Sequence, residues 1–210
     1  MPLYKTITVN PSTKVLIWKI EEPFEQLADG IVLTEHCQKR VDGMKSDLHR
    51  RGFMSVRHLL AEEGYVDHDL FYDDKGKPHL RDGKNISITH SFVFSAIVLS
   101  DIEVGIDIEM QRPKILKIAH KFTPVEEYRT LANDDAVMRK LTMVWGAKES
   151  LYKSFSEKGV SFLQHIYIEY FRLDDYQTTA GVSYEGKVTK YQVWFIEFEG
   201  FTCAYALTQS

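Results

Sequence analysis

The stretch Val104-Gly105-Ile106-Asp107-Ile108-Glu109-Met110 decides how the rest of the chain is read. It follows an apolar run and is rich in β-branched residues, the composition of a strand. Successive side chains of a strand point to opposite faces, which sets Asp107 and Glu109 on one face and Ile106 and Ile108 on the other. Two carboxylates about 7 Å apart along a strand suit a hard divalent cation that takes oxygen ligands. On spacing alone, a strand with a plain acidic face is the better reading. The neighbours decide between the two.

Working outward, 210 residues are enough for one large domain or two small ones. A hydrophobic share of 44% and an aromatic share of 12% belong to a packed chain and exclude a disordered one. The net charge of -4 gives no overall field towards nucleic acid or a membrane, so an anionic ligand must meet a local basic patch. Cys37 and Cys203 lie far apart, with no C-x-x-C pair and no zinc-finger spacing. That pattern fits a reducing compartment and a fold without disulfides. Residues 1–10 lack a basic region followed by an apolar core, and no apolar run approaches ~20 residues, so the chain reads as cytoplasmic.

Ahead of the opening strand, residues 3–20 read as a hairpin turning at Asn10-Pro11-Ser12, and a helix is expected over 24–30, punctuated by Gly30. Thr34 to Leu60 reads as one long, mostly helical, basic stretch carrying Lys39, Arg40, Lys45, Arg50, Arg51 and Arg57. Such a run is either a solvated helix face or a docking surface for phosphates. Asp73 to Pro78 is a turn, and Gly76-Lys77 is no P-loop, since Pro78 stands where Ser or Thr is needed. Asn85 to Leu99 is expected to form a hairpin with the opening strand, turning at Ser100-Asp101. Beyond it come a short helix over 115–120 and a capped helix start at Thr123-Pro124-Val125-Glu126. A long helix follows from Asn133 or Asp134 to about Ser156, then strands near 166–170, 190–199 and 202–207, with Gly181, Gly186 and Gly200 as breaks. Both halves run from a long helix to a hairpin, without a residue-level repeat.

The long helix breaks its own pattern between Leu141 and Lys153. At about 100° per residue, Leu141, Val144, Trp145, Tyr152 and Phe155 share a stripe, with Lys148 in its middle and Glu149 near its edge. Thr142, Gly146 and Ser150 take the opposite side. A charge on an apolar face must be paired, because burying it alone is costly. Either Lys148 and Glu149 form an internal structural pair, or this face looks into a site. Gly146 costs a helix about 1 kcal/mol relative to Ala, tolerable where something approaches the backbone closely.

Taken together, Gly76-Lys77-Pro78, Ile86 to Ser91, Gly105 to Glu109, Phe122 to Glu127, Trp145 to Lys153 and Lys158 to Phe162 resemble the 4′-phosphopantetheinyl transferase superfamily, in its two-lobed surfactin-synthetase-activating branch. The resemblance covers roughly residues 45–165. Its specific part is the Gly-x-Asp-x-Glu strand followed about 36 residues later by Trp-x-x-Lys-Glu-x-x-x-Lys. Thr89 stands where the family has Ser, and Gly146 where Ser or Ala is usual; neither removes a group the chemistry needs.

The resemblance implies an α+β fold of two similar lobes in pseudo-twofold arrangement, 1–102 on the adenosine and 3′-phosphate side of coenzyme A and 103–210 with the catalytic motifs, the active site at their interface. It implies a monomeric enzyme that moves the phosphopantetheine arm of coenzyme A to a serine of an apo acyl- or peptidyl-carrier protein and releases 3′,5′-ADP. Fatty acid, polyketide and nonribosomal peptide synthesis all use such carriers. Asp107, Glu109 and Glu149 would hold Mg²⁺, with Mn²⁺ as a substitute, and Glu149 would accept the serine proton. Lys148 and Lys153 would offset phosphate charge, and Arg57, Lys77, Thr89 and His90 would grip the 3′-phosphate and ribose end. The basic residues of 39–58 could meet coenzyme A or an acidic carrier. No nucleic acid or membrane partner is implied. Two rivals remain: a non-catalytic coenzyme A-binding module of the same fold, and a metal-dependent phosphohydrolase.

Overall fold

Two antiparallel sheets, each bearing its own long helix, account for the chain; the computed structural model describes residues 3–128 and 131–209. The chain divides into two units, Met1–Asp101 and Ile102–Ser210.

In the first unit, β1 (Leu3–Asn10) and β2 (Thr13–Lys19) form the expected hairpin, followed by α1 (Phe24–Ala28), α2 (Glu35–Asp42) and α3 (Asp47–Ala61). The strands β3 (Leu70–Tyr72), β4 (Pro78–Leu80), β5 (Asn85–Ser91) and β6 (Phe94–Ser100) complete a sheet of order β1-β2-β6-β5-β4-β3. The apolar stripe of α3 (Met54, Val56, Leu59, Leu60) packs with Leu16, Trp18, Ile97 and Leu99 of the sheet. The stretch Thr34–Leu60 is mostly helical, as expected, and holds two helices. Gly43 closes α2, and Ser46 opens α3 by accepting the His49 amide on its side chain, because capping satisfies amides that a helix start leaves open.

The second unit holds β7 (Val104–Met110), α4 (Lys114–Ile118), α5 (Asp134–Phe155), β8 (Ile166–Ile168), β9 (Gln177–Tyr184), β10 (Lys187–Phe198) and β11 (Phe201–Thr208). Its sheet runs β7-β11-β10-β9-β8, and α5 packs across β7 and β11. The α5 start is as expected: the Asn133 side chain accepts the Ala136 amide. Glu199 and Gly200, at φ of 46° and 76°, form the two-residue turn between β10 and β11.

Three expectations fail for physical reasons. The opening strand is not the second arm of the 85–99 hairpin: that run turns on itself at Phe92-Val93, with Phe92 at φ 52°, and β7 pairs instead with β11, Asp107 opposite Ala204. The capped helix at Thr123 is only a 3₁₀ turn, Val125–Glu127, in which the Thr123 hydroxyl bonds the Glu127 carboxylate at 2.5 Å rather than a backbone amide. Gly181 does not break a strand but lies inside β9, where an added Cβ would meet the Tyr167 hydroxyl at 2.3 Å. The polar composition of Gln177-Thr178-Thr179 hid this strand.

Candidate functional site

The site is built where α5 crosses β7. Odd-numbered β7 residues face the helix, and at Gly105 the approach is so close that a Cβ would lie 1.8 Å from the Ser150 carbonyl oxygen. Only glycine allows this contact, and it fixes how far Asp107 and Glu109 stand from α5. At Gly146 the approach is tight but less extreme, with a Cβ 3.3 Å from that of Ala204. The small side of α5, with Thr142, Gly146 and Ser150, is therefore buried, as are Leu141 and Val144 of the expected apolar stripe. Small side chains let helix and sheet backbones meet, while Tyr152, on the expected apolar stripe, is 37% exposed.

Asp107 is buried, at 5% exposure, and its Oδ1 accepts a 2.7 Å bond from Lys153 Nζ, which also donates to the Ile106 carbonyl at 3.0 Å. Glu109, half-buried, accepts a 3.2 Å bond from the Trp145 indole N–H. Glu149, also half-buried, sits four residues before Lys153 on α5. Burial, and then the charge of Asp107, raise the Glu109 carboxyl above its ordinary range. The same two causes, with Glu109 adding and Lys153 opposing, push Glu149 up to about 7. Three carboxylates thus crowd one field under one ammonium. Their all-oxygen donor set and excess negative charge fit a hard divalent cation. Among the described residues, no group of three or more His, Cys, Asp or Glu side chains is gathered ready to hold a metal ion.

Beside these carboxylates lies an open groove of about 510 Å³ lined by Ile118, Lys121, Trp145, Glu149, Tyr152 and Phe162. Trp145 forms one wall, its ring 5.0 Å from that of Phe122 and 5.3 Å from that of Phe162. The sequence places Trp145 on an apolar stripe and at the head of the family motif; its bond to Glu109 is visible in three dimensions alone.

Two expected phosphate contacts turn out to serve the fold. Lys148 is 3% exposed and gives its three protons to the carbonyls of Phe122 (2.6 Å), Phe162 (2.7 Å) and Ile166 (2.7 Å), with burial pushing its ammonium down to about 8. It has no donor left for a phosphate, and its partners are carbonyls rather than Glu149. Arg57 is likewise 3% exposed and ion-paired with Asp67 at 2.8 Å, with further bonds to the Phe53 carbonyl and Cys37 Sγ. Burial would raise the Asp67 carboxyl, but the Thr34 amide and the Arg57 guanidinium outweigh it and hold it below the carboxylate range. Much of the basic stretch around Arg57 is also engaged within its own unit. Lys39 pairs with Glu35, Arg50 lies over the Phe24 ring, and Arg51 bonds the Ile20 carbonyl.

Lys77 follows the Asp73 turn, its amide bonded to Asp73 Oδ1 at 2.8 Å. Thr89 is buried and His90 exposed at the end of the neighbouring strand β5, with His90 against Gly52 of α3. Among the described residues no helix is long and apolar enough to cross a membrane, and both cysteines are buried and free.

Comparison with known proteins gives three findings. Residues 103–206 match the family described as the 4′-phosphopantetheinyl transferase superfamily. The chain is 32% identical over 134 residues to enterobactin synthase component D of Salmonella typhi, covering 62% of this chain and 57% of that protein. It is 28% identical over 118 residues to 4′-phosphopantetheinyl transferase psf-1 of Bacillus pumilus, covering 53% of this chain and 50% of that protein. The chain thus spans about half the length of the curated relatives it matches.

Proposed function

This chain belongs to the 4′-phosphopantetheinyl transferase superfamily, and from that premise we propose that it transfers the phosphopantetheine arm of coenzyme A to a serine of an apo acyl- or peptidyl-carrier protein. The observation that carries the reading is the placing of three carboxylates where α5 crosses β7: Asp107 bonded to Lys153, Glu109 bonded to Trp145, and Glu149 lining the open groove.

In the proposed reaction the serine oxygen bonds to the β-phosphorus of coenzyme A. The bond from that phosphorus to the bridging oxygen breaks, and the electron pair leaves on 3′,5′-ADP. Glu149 accepts the serine proton, directly or through an intervening water; a carboxyl held near neutrality is suited to that task. Lys153, already on Asp107, offsets phosphate charge. Asp107, Glu109 and Glu149 would hold Mg²⁺, which when bound would neutralise charge building on the pyrophosphate. Lys77, Thr89 and His90 stay assigned to the 3′-phosphate and ribose end; Arg57 and Lys148 do not. The reaction is placed in the cytoplasm, where Cys37 and Cys203 would remain thiols.

The test is incubation with coenzyme A, Mg²⁺ and a panel of apo carriers, read by intact mass. A carrier heavier by one phosphopantetheine arm is expected. No mass change on any carrier, where an established transferase modifies them, overturns the reading. Coenzyme A binding without turnover would indicate a binding module instead, and 3′,5′-ADP released without a carrier a phosphohydrolase.

A further inference from the structure

We infer that Lys148 is a positioning residue whose buried ammonium ties three chain segments together and thereby sets the groove wall beside the proposed catalytic carboxylates; this rests on the transferase reading above. Its carbonyl partners come from three separate places: Phe122 after the 3₁₀ turn that follows α4, Phe162 in the loop after α5, and Ile166 at the start of β8. An ammonium has three protons, and here each meets a carbonyl at 2.6 to 2.7 Å. Carbonyls left without donors in the interior would be costly, so the three segments are held to one point.

Two of the anchored residues carry the rings that flank Trp145. Phe122 meets it edge-on and Phe162 at a tilt, while Phe162 also touches Tyr152, 5.4 Å between centroids. Trp145 in turn bonds Glu109. The ammonium therefore reaches the carboxylates only through backbone and rings: Lys148 to Phe122 and Phe162, these to Trp145, and Trp145 to Glu109. A guanidinium keeps the charge but is planar and cannot converge on three carbonyls as a tetrahedral ammonium does. Charge and geometry can thus be separated by substitution.

The experiment compares Lys148→Arg, Lys148→Met and Phe162→Ala with the wild type, measuring kcat and the KM for coenzyme A in the carrier assay. If Lys148 positions, both Lys148 variants lose about tenfold or more in kcat while the KM for coenzyme A moves by less than about threefold. Lys148→Arg near wild-type activity, or a tenfold rise in that KM with kcat kept, overturns the inference in favour of a direct phosphate contact. Combining Lys148→Met with Phe162→Ala should cost little beyond Phe162→Ala alone, since both act through one wall; fully additive losses overturn it. Should neither Lys148 variant fold, Phe162→Ala still decides, because Lys148 binds its backbone: wild-type kcat there breaks the proposed chain. Acetylation of the native wild type, mapped by peptide mass, needs no turnover and separates this inference from the transferase reading. Lys148 should stay unmodified while exposed lysines react, and labelling at their rate overturns the anchor even if no carrier is ever modified.

Discussion

Asp107 and Arg57 show how differently two buried charges can be used. Asp107→Ala is expected to lower transfer at least 100-fold, yet to change stability by only about 1 kcal/mol, because Lys153 keeps its bond to the Ile106 carbonyl and remains partly solvated. Turnover paired with a urea unfolding curve checks this; unchanged turnover in the folded variant would remove Asp107 from the site. Arg57→Met should do the reverse, costing about 3–5 kcal/mol by leaving Asp67 buried without its cation. Pairing it with Asp67→Leu should recover most of that loss. The pH dependence has a definite sign. The folded Asp67 carboxyl lies below its ordinary value, so its contribution is present above about pH 4 and lost as pH falls through the depressed value. In Arg57→Met the unpaired Asp67 can protonate in acid, so the stability difference from wild type should shrink below about pH 4. Unfolding curves across that range test it; a difference that grows in acid would contradict the pair as described.

For the elements, the deciding contact is that of β7 with α5. Gly105→Ala places a methyl 1.8 Å from the Ser150 carbonyl, a clash between two backbones that no rotamer relieves. A loss of about 3 kcal/mol or more is expected, read as a lower denaturant midpoint. Gly146→Ala should cost clearly less, since its Cβ, though tight against that of Ala204, asks for a shift of only a few tenths of an ångström and the gain in helix propensity of about 1 kcal/mol offsets part of it. Equal effects of the two substitutions would show that the helix does not rest on β7 as described. The boundaries of α5 were legible in the sequence because they are local: Asn133 caps its start, and Ser156, at φ 57°, ends it. Its apolar stripe was legible too, since Leu141 and Val144 are buried, but its close approach to β7 was not. Periodicity ranks faces by hydrophobicity and passes over a second buried side, where small residues let two backbones meet.

For the whole molecule, chelation should abolish transfer while moving the thermal midpoint little, because each unit has its own apolar core and Lys153 already neutralises Asp107. Adding Mg²⁺ should restore activity and raise stability only as far as its binding allows. Collapse of the fold on chelation would make the ion structural instead. Alternation, caps and motif spacing are properties of neighbouring residues, so the α+β class, the strand carrying Asp107 and Glu109, the helix carrying Glu149 and the family that joins them are legible in the unfolded chain. Only the tertiary structure decided the partner of β7, the turn at Phe92 that frees it from the preceding hairpin, and the fate of the cations. Lys148 and Lys153 stand five residues apart in one motif, yet the first is saturated by three carbonyls and the second rests on a carboxylate. A residue type states what charge is present; the partners that fold against it determine whether that charge is spent on the fold or kept for a ligand.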